Sequence, residues 1–218
     1  MGRRRNYRNY RRARRYARKA VKSGTKSAVG WLASKAWQGV KMLKDVVNTE
    51  YKYFDINETA NVDYNGYLPS LCTPTQGDGD QQRDGDRLKM QNLTFRGRLV
   101  RNTADCMVRV IIGIDKQVKV TTAADVLEST GASTAGPISP KNYDKRFQTK
   151  ILYDRRFNLT ADMPVRFVNI NKAINTHEQF TNGTTTMQSG RLFAIFISNI
   201  NANVPSMQYY SRVTFTDN

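Results

Sequence analysis

Residues 87–115 read RLKMQNLTFRGRLVRNTADCMVRVIIGID. In the first half, polar and apolar side chains alternate, which is the pattern of a strand with one buried face. Residues 106–115 are nearly all apolar, which indicates a strand buried on both faces. Only a short polar turn at 102–105 separates the two runs. The stretch therefore predicts an antiparallel hairpin, with Gly97 as a bulge or a point of close approach.

The same patterns recur on both sides of this stretch and predict further strands. They occur at 50–56, 146–159, 165–171, 191–199 and 206–217, with a short strand near 177–181. A tight turn is expected at Asn182-Gly183, and a short helix at 122–128 behind an N-cap threonine. About eight strands without an internal repeat predict an all-β fold, an eight-stranded antiparallel jelly roll or a related sandwich.

Charge is distributed unevenly along the 218 residues. Residues 1–44 contain nine Arg, six Lys and no acidic residue, a net charge of +15. Residues 45–218 contain the other 20 basic residues and all 18 acidic ones, a net charge of +2. So dense a block of like charge repels itself and needs a polyanion to neutralise it. We therefore predict a basic, partly helical arm at 1–47 and a jelly-roll domain at 48–218.

The first part of the arm, residues 3–22, interleaves arginine with tyrosine. Arginine pairs with phosphate in a bidentate way and stacks on bases, and tyrosine offers a further stacking surface. This combination favours single-stranded nucleic acid over a membrane, with a solvated tail or a nuclear-import signal as alternatives. The predicted nucleic-acid-binding residues here are Arg3, Arg4, Arg5, Tyr7, Arg8, Tyr10, Arg11, Arg12, Arg14, Arg15, Tyr16, Arg18, Lys19 and Lys22.

The second part of the arm, residues 25–47, has the periodicity of an amphipathic helix. Its apolar face consists of Val29, Leu32, Ala36, Val40, Leu43 and Val47. Two interpretations remain open. The face packs on a partner copy or on the jelly-roll domain, or the basic helix, which carries Trp31 and Trp37, lies on a membrane surface.

A Gly- and Asp-rich loop at 76–87 precedes the strand at 87–101. Four carboxylates within nine residues supply hard oxygen ligands for Ca²⁺, although the closing glutamate of an EF-hand is missing. The alternative is a plain turn or subunit contact in which Asp side chains cap backbone groups. The candidate metal ligands are Asp78, Asp80, Asp84 and Asp86. No other cofactor is expected.

Two further candidate residues for nucleic-acid binding, Arg96 and Arg98, share one face of the strand at 87–101. A solvated face or a subunit contact is the alternative for both. Basic residues at 145–146 and 155–156 are weaker candidates of the same kind.

Catalytic chemistry finds no support in the sequence. His177 is the only histidine, so no histidine-pair metal site and no Cys-His arrangement can be argued. No phosphate-binding or dinucleotide fingerprint is present, and we expect no enzyme. Cys72 and Cys106 lack metal-ligand spacing and are expected to be free thiols. We expect neither a signal peptide nor a membrane span, because no long apolar run occurs.

A family resemblance rests on residues 76–99, QGDGDQQRDGDRLKMQNLTFRGRL, together with the basic arm and the order of the strands. Its core is Gln76-Gly77-Asp78 with residues 82–86, QRDGD, and a weaker match is Asp125-Val126-Leu127 followed by 143–147. These features resemble capsid proteins of small circular Rep-encoding single-stranded DNA viruses, the circovirus-like group. They are also similar to the coat protein of satellite tobacco necrosis virus.

The resemblance implies a capsid protein that self-assembles into a small icosahedral shell, T=1 with about 60 subunits, with its arms turned inward. Sixty such arms supply about 900 positive charges for a single-stranded genome, with DNA expected over RNA. It further implies a virion protein that also occupies the host nucleus and cytoplasm. Its expected partners are other copies, the genome, a host nuclear-import receptor and, transiently at entry, a membrane.

Two alternatives to a DNA-virus capsid stay open: the coat of a small single-stranded RNA satellite virus, and a non-assembling basic nucleic-acid-binding protein. The second requires base-stacking aromatic residues on an exposed sheet face. We expect instead that the strand aromatics lie in the core: Phe147, Phe157, Phe167, Phe193 and Phe196.

Overall fold

The computed structural model describes Lys35, residues 50–130 and residues 136–217. The chain divides into two units, 1–49 and 50–218. Lys35 is helical and exposed. The other arm residues singled out above lie outside the described part, so the arm assignments and the boundary at 47–48 stay predictions.

The described residues of the second unit form eight strands and two single-turn 3₁₀ helices at Ala123–Asp125 and Gly136–Ile138. The strands are β1 (Tyr51–Asn61), β2 (Arg87–Val100), β3 (Cys106–Asp115), β4 (Thr149–Leu159), β5 (Val165–Phe180), β6 (Met187–Ser189), β7 (Arg191–Ser198) and β8 (Ser206–Asp217).

The strands form two antiparallel sheets. The first sheet has the order β1-β8-β2-β5-β6, and the second has the order β4-β3-β7. Isolated bridges from Tyr67 to Phe196 and from Ser70 to Phe193 place the 67–70 segment beside β7, as an irregular fourth member of the second sheet. Four of the six pairings among the described strands, β1–β8, β8–β2, β2–β5 and β3–β7, join strands that are not consecutive in sequence, as in a rolled-up pair of Greek keys. The predicted all-β jelly roll is confirmed.

The main core lies between the two sheets, and a break in the alternation of β2 decides which side chains enter it. Leu88 and Met90 point inward, and so do Leu93, Phe95 and Leu99, all fully buried. The inward-pointing residues have even numbers up to Met90 and odd numbers from Leu93 onward, because the register with β8 shifts by one residue between Met90 and Asn92. Without this bulge, either the two apolar residues before it or the three after it would face solvent.

Gly97 is a point of close approach. A Cβ atom there would lie 2.3 Å from Met207 Cε on the neighbouring strand β8. Of the two roles considered for Gly97, close approach is confirmed, while the bulge of β2 lies between Met90 and Asn92.

The predicted hairpin of β2 and β3 is wrong. Strand β2 pairs with β5 and β8, and β3 pairs with β4 and β7, so the two lie in different sheets. The connection at 101–105 is a corner between sheets, braced by Arg101 Nε, which donates to Asp105 Oδ1 at 2.9 Å. Two apolar strands joined by a short turn bury the same core whether they pair edge to edge or face each other. The local pattern cannot distinguish these cases.

Other strands and the predicted helix differ in extent. Strand β4 begins at Thr149 rather than at 146, and β5 is one strand of 16 residues that includes the short strand expected near 177–181. Asn175 has a φ of 49° where β5 and β2 lose register, a conformation that Asn tolerates. The predicted short helix is a single 3₁₀ turn, Ala123–Asp125, with Thr122 as its N-cap residue.

A second, smaller core covers the outer face of the second sheet. Ile111 and Ile195 point away from the main core and pack against Val120, Val126 and Leu127 of the β3–β4 connection. Both cysteines are buried and free, as predicted. Among the described residues, no helix has the length and apolar character needed to cross a membrane.

Candidate nucleic-acid interface

The outer face of the first sheet carries the two predicted arginines of the body. Because Phe95, Gly97 and Leu99 point into the core, the pleat directs Arg96 and Arg98 outward, and both are exposed. Each arginine has a directly opposed residue on both neighbouring strands. Arg98 lies between Gln208 of β8 and Phe167 of β5, and Arg96 lies between Tyr210 and Asn169. We call these six residues the arginine face.

Two arginines of this sheet keep their charge available. In the part of the chain that the structure describes, neither Arg96 nor Arg98 forms an ion pair with a carboxylate. Arg98 donates a hydrogen bond from Nη2 to Oε1 of Gln208, a neutral partner, at 2.5 Å. Such cations can pair with phosphate without first breaking a salt bridge.

A third arginine beside this face is already neutralised. Arg212 donates to both carboxylate oxygens of Asp55, at 2.7 and 2.6 Å, and Tyr210 donates to the same carboxylate at 2.7 Å. These hydrogen bonds, that of Arg212 first, hold the pKa of Asp55 below its usual value, although burial opposes them. The hydrogen bond to Asp55 also raises the pKa of Arg212. Arg212 therefore adds little free charge.

Phe167 supplies an aromatic ring to the same face. It is 68% exposed, and it lies directly across from Arg98. Its neighbour Val168 and the following Ile170 point into the core, so the pleat sends Phe167 to solvent. An exposed ring beside unpaired guanidinium groups is a combination that stacks on bases and pairs with phosphates.

The predicted burial of the strand aromatics is therefore only partly right. Phe193 and Phe196 are fully buried and Phe157 is half-buried against the main core. Phe167 and Phe147 are exposed, the latter by 73%. Phe147 precedes β4, where the Arg146 guanidinium lies over its ring at 4.4 Å. The sequence contained a signal for the exposure of Phe167, because this residue lies on the opposite face of the strand from Val168 and Ile170. The prediction of burial followed the hydrophobicity of phenylalanine instead of this alternation.

The Asp-rich loop is held in place by ion pairs. Lys52, buried in β1, contacts Asp84 at 2.5 Å and Asp217 at 3.3 Å. Burial lowers the pKa of Lys52, but hydrogen bonds to these two carboxylates outweigh it and the net shift is upward. Tyr53 N also donates to Asp80 O at 3.0 Å. The loop thus lies against the end of the first sheet.

Arg83 fixes the loop from inside. Its fully buried guanidinium donates to the carbonyl oxygens of Gly85 and Thr184, contacts Asp86 at 3.1 Å and lies over the Phe180 ring at 4.4 Å. Two of the four candidate metal ligands are thereby paired with cations.

The remaining two candidate ligands, Asp78 and Asp80, are exposed. Within the described residues, no cluster of three or more acidic, cysteine or histidine side chains is placed to hold a metal ion. The geometry favours the interpretation of the loop as a structural turn, and calcium binding stays an untested prediction.

Comparison with known proteins shows distant structural likenesses only. No family model matches the chain, and no curated protein matches it significantly. Similar solved structures include Desmodium yellow mottle tymovirus (7% identity, 78% of this chain and 88% of that chain, TM-score 0.38). They also include broad bean stain virus (10%, 78% and 87%, 0.36) and the cyanophage Pam1 capsid asymmetric unit (11%, 78% and 86%, 0.34). At these scores the likenesses carry no argument, and the fold assignment rests on the strand order.

Proposed function

We propose that this protein is a viral capsid protein, which self-assembles into a small icosahedral shell and packages a single-stranded genome. The observation that carries the proposal is the division of charge. Residues 1–44 carry a net charge of +15, and residues 45–218, which include the jelly-roll domain, carry a net charge of +2. A near-neutral body avoids repulsion between neighbouring copies, and the basic segments neutralise the enclosed phosphates. The role is structural and not enzymatic.

The finer features of the proposal come from the sequence. A shell with T=1 suits a body of this size. We take DNA as the genome because the first resemblance is to capsid proteins of DNA viruses, while residues 76–86 by themselves do not distinguish DNA from RNA. Within this proposal, the basic arm also acts as a nuclear-import signal, and its amphipathic helix contacts a membrane transiently at entry. The protein would then occupy the virion and, during infection, the host nucleus and cytoplasm.

Electron microscopy of the purified full chain tests assembly. We expect closed particles of uniform diameter whose mass, measured by light scattering, corresponds to about 60 copies. Digestion of the extracted nucleic acid with DNase or RNase, each used alone, tests the genome type. Only soluble monomers at every salt concentration, with or without single-stranded DNA, would overturn the proposal of a capsid.

A second function, a non-assembling nucleic-acid-binding protein, is favoured by one specific observation. Phe167 and Arg98 place an exposed ring and an unpaired cation on one sheet face, as that function requires. The same microscopy distinguishes the two functions, because this protein would bind oligonucleotides tightly as a monomer and form no shells. RNase-sensitive cargo inside shells would instead favour a satellite-type RNA coat.

A further inference from the structure

A cleft adjoining the arginine face lies where the two sheets meet along one side of the sandwich. Strand β4 is the edge of the second sheet, and β6 covers β5 only at Gln179 and Phe180. The chain turns from β4 into β5 at residues 160–164, so the end of β4 and the start of β5 lie side by side. Arg166 Nε donates to Asn158 O across this gap at 3.4 Å.

The lining of this cleft is strongly basic. Three arginines, Arg155, Arg156 and Arg166, line it together with Phe157 and Phe167. The remaining lining residues, Met107, Asn158 and Val165, carry no charge, so no carboxylate faces the guanidinium groups from the lining. None of the three arginines forms an ion pair with a described carboxylate, and the nearby Asp154 is paired with Arg109 and Lys141. We call this site the basic edge cleft.

Phe167 connects the basic edge cleft to the arginine face. Its side chain lines both this cleft and the depression that contains Arg96 and Arg98. Directly opposed residues on paired strands lie about 5 Å apart at Cβ, so Arg98 and Phe167 are immediate neighbours. The five arginines that line these two depressions form no ion pair with a described carboxylate, and Phe167 is the residue that both depressions share.

We infer that the basic edge cleft is a second binding site for the phosphate backbone of single-stranded nucleic acid, with Phe167 as the stacking platform that joins it to the arginine face. Uncompensated guanidinium groups attract a polyanion, and an exposed ring lowers the free energy of unstacked bases beside it. The inference rests on the proposed function, because it assigns a path along the body for the same single-stranded genome whose phosphates the basic arm neutralises.

The arm dominates total binding, so the test must report where the nucleic acid lies. Full-length protein is mixed with oligothymidine that carries 4-thiothymidine, irradiated, digested and analysed by mass spectrometry. We expect cross-links in the arm and also in the peptide that contains Phe167. The triple variant R155Q/R156Q/R166Q should lose most of the Phe167 cross-link, by about fivefold or more, while arm cross-links persist.

A matched control removes the same charge elsewhere. The variant K116Q/K119Q/K150Q also loses three positive charges, at the opposite end of β3 and β4. It should keep the Phe167 cross-link within about twofold, since screening limits the effect of distant charges. The variant F167W should keep stacking, whereas F167A should reduce cross-links from nucleotides near the cleft. Thermal unfolding monitored by circular dichroism confirms that each variant is folded.

The outcomes separate this inference from the proposed function. Cross-links confined to the arm, or equal losses in the arginine triple and the lysine control, would refute the cleft site and leave the capsid proposal intact. Loss of shells in the arginine triple with an unchanged Phe167 cross-link would instead identify the cleft as a contact between copies. Failure to assemble or to bind nucleic acid at all would refute the proposed function itself.

Discussion

Asp154 accepts two hydrogen bonds from the Arg109 guanidinium, at 2.8 and 2.9 Å, and the arginine side chain is only 4% exposed. The same guanidinium donates to the carbonyl oxygen of Ser139, so the pair fastens the β3–β4 connection to the second sheet. Burial raises the pKa of Asp154, but the Arg109 hydrogen bonds outweigh it and the net shift is downward.

This pair predicts a large loss of stability on mutation. The variant D154N should lower the free energy of unfolding by about 3–5 kcal/mol, because Arg109 is left buried without a counter-charge. Urea unfolding followed by far-UV circular dichroism measures the change, because this signal comes from the strands of the body.

A matched control for D154N exists at the corner between β2 and β3. Asp105 is 62% exposed and pairs with Arg101 at 2.9 Å. The variant D105N should cost about 1 kcal/mol or less, as exposed ion pairs usually do. Equal losses in the two variants would contradict the role assigned to burial.

Glu178 of β5 predicts a dependence of stability on pH. It is fully buried, and burial raises its pKa well above the usual value, although Cys72, Arg191 and Arg83 oppose the shift. A raised pKa in the folded state means that its contribution is complete below the unfolded pKa and declines as pH rises towards the folded one.

The free energy of unfolding should therefore fall as the pH rises above 4.5, the ordinary glutamate pKa, and the variant E178Q should weaken this dependence. Unfolding in urea at several pH values measures it. The exposed residue Glu50 supplies the control, because E50Q should leave the profile unchanged. A wild-type profile that rises above pH 4.5, or one that E178Q leaves unaltered, would argue against a protonated Glu178.

The arginine face predicts a change in the salt dependence of nucleic-acid binding. In R96Q/R98Q, the slope of log K against log salt for single-stranded DNA should decrease by about 1.4, because two phosphate contacts are lost. Fluorescence anisotropy of a labelled oligonucleotide with full-length protein measures the slope. The control is the charge-neutral double variant D55N/R212Q, which removes an already paired arginine from the same sheet. Equal slopes for both variants and the wild type would exclude phosphate contact at this face.

Deletion of residues 1–22 should separate packaging from assembly. The deletion removes 11 of the 35 basic residues and none of the described strands. Shells should still form, but their nucleic-acid content, measured by absorbance at 260 and 280 nm, should fall sharply. Replacing the nine arm arginines by lysine keeps the charge and should retain most of the content. Unchanged content in the deletion variant would contradict the role of the arm.

Local patterns predicted most strands of the jelly roll, because alternation along a strand reports directly which face is buried. They failed where the outcome depended on distant partners. Residues 67–70 pair with β7 through only two isolated bridges, so they carry too short a pattern to be recognised as a strand. The bulge of β2 between Met90 and Asn92 is defined by its register with β8, a strand more than 100 residues away in sequence.

The amino-acid sequence by itself determined the class of fold and the division of charge. Both follow from local patterns of residues and do not depend on which distant segments pair. The partners of β2 and β3 were decided by the tertiary structure, because a strand of the core can be covered from several directions. Tertiary structure also placed Phe167 on the surface between Arg98 and the basic edge cleft. Alternation with Val168 and Ile170 indicates that Phe167 lies on the opposite face of β5, but only the pairing and packing of the strands bring Arg98 and the cleft beside its ring.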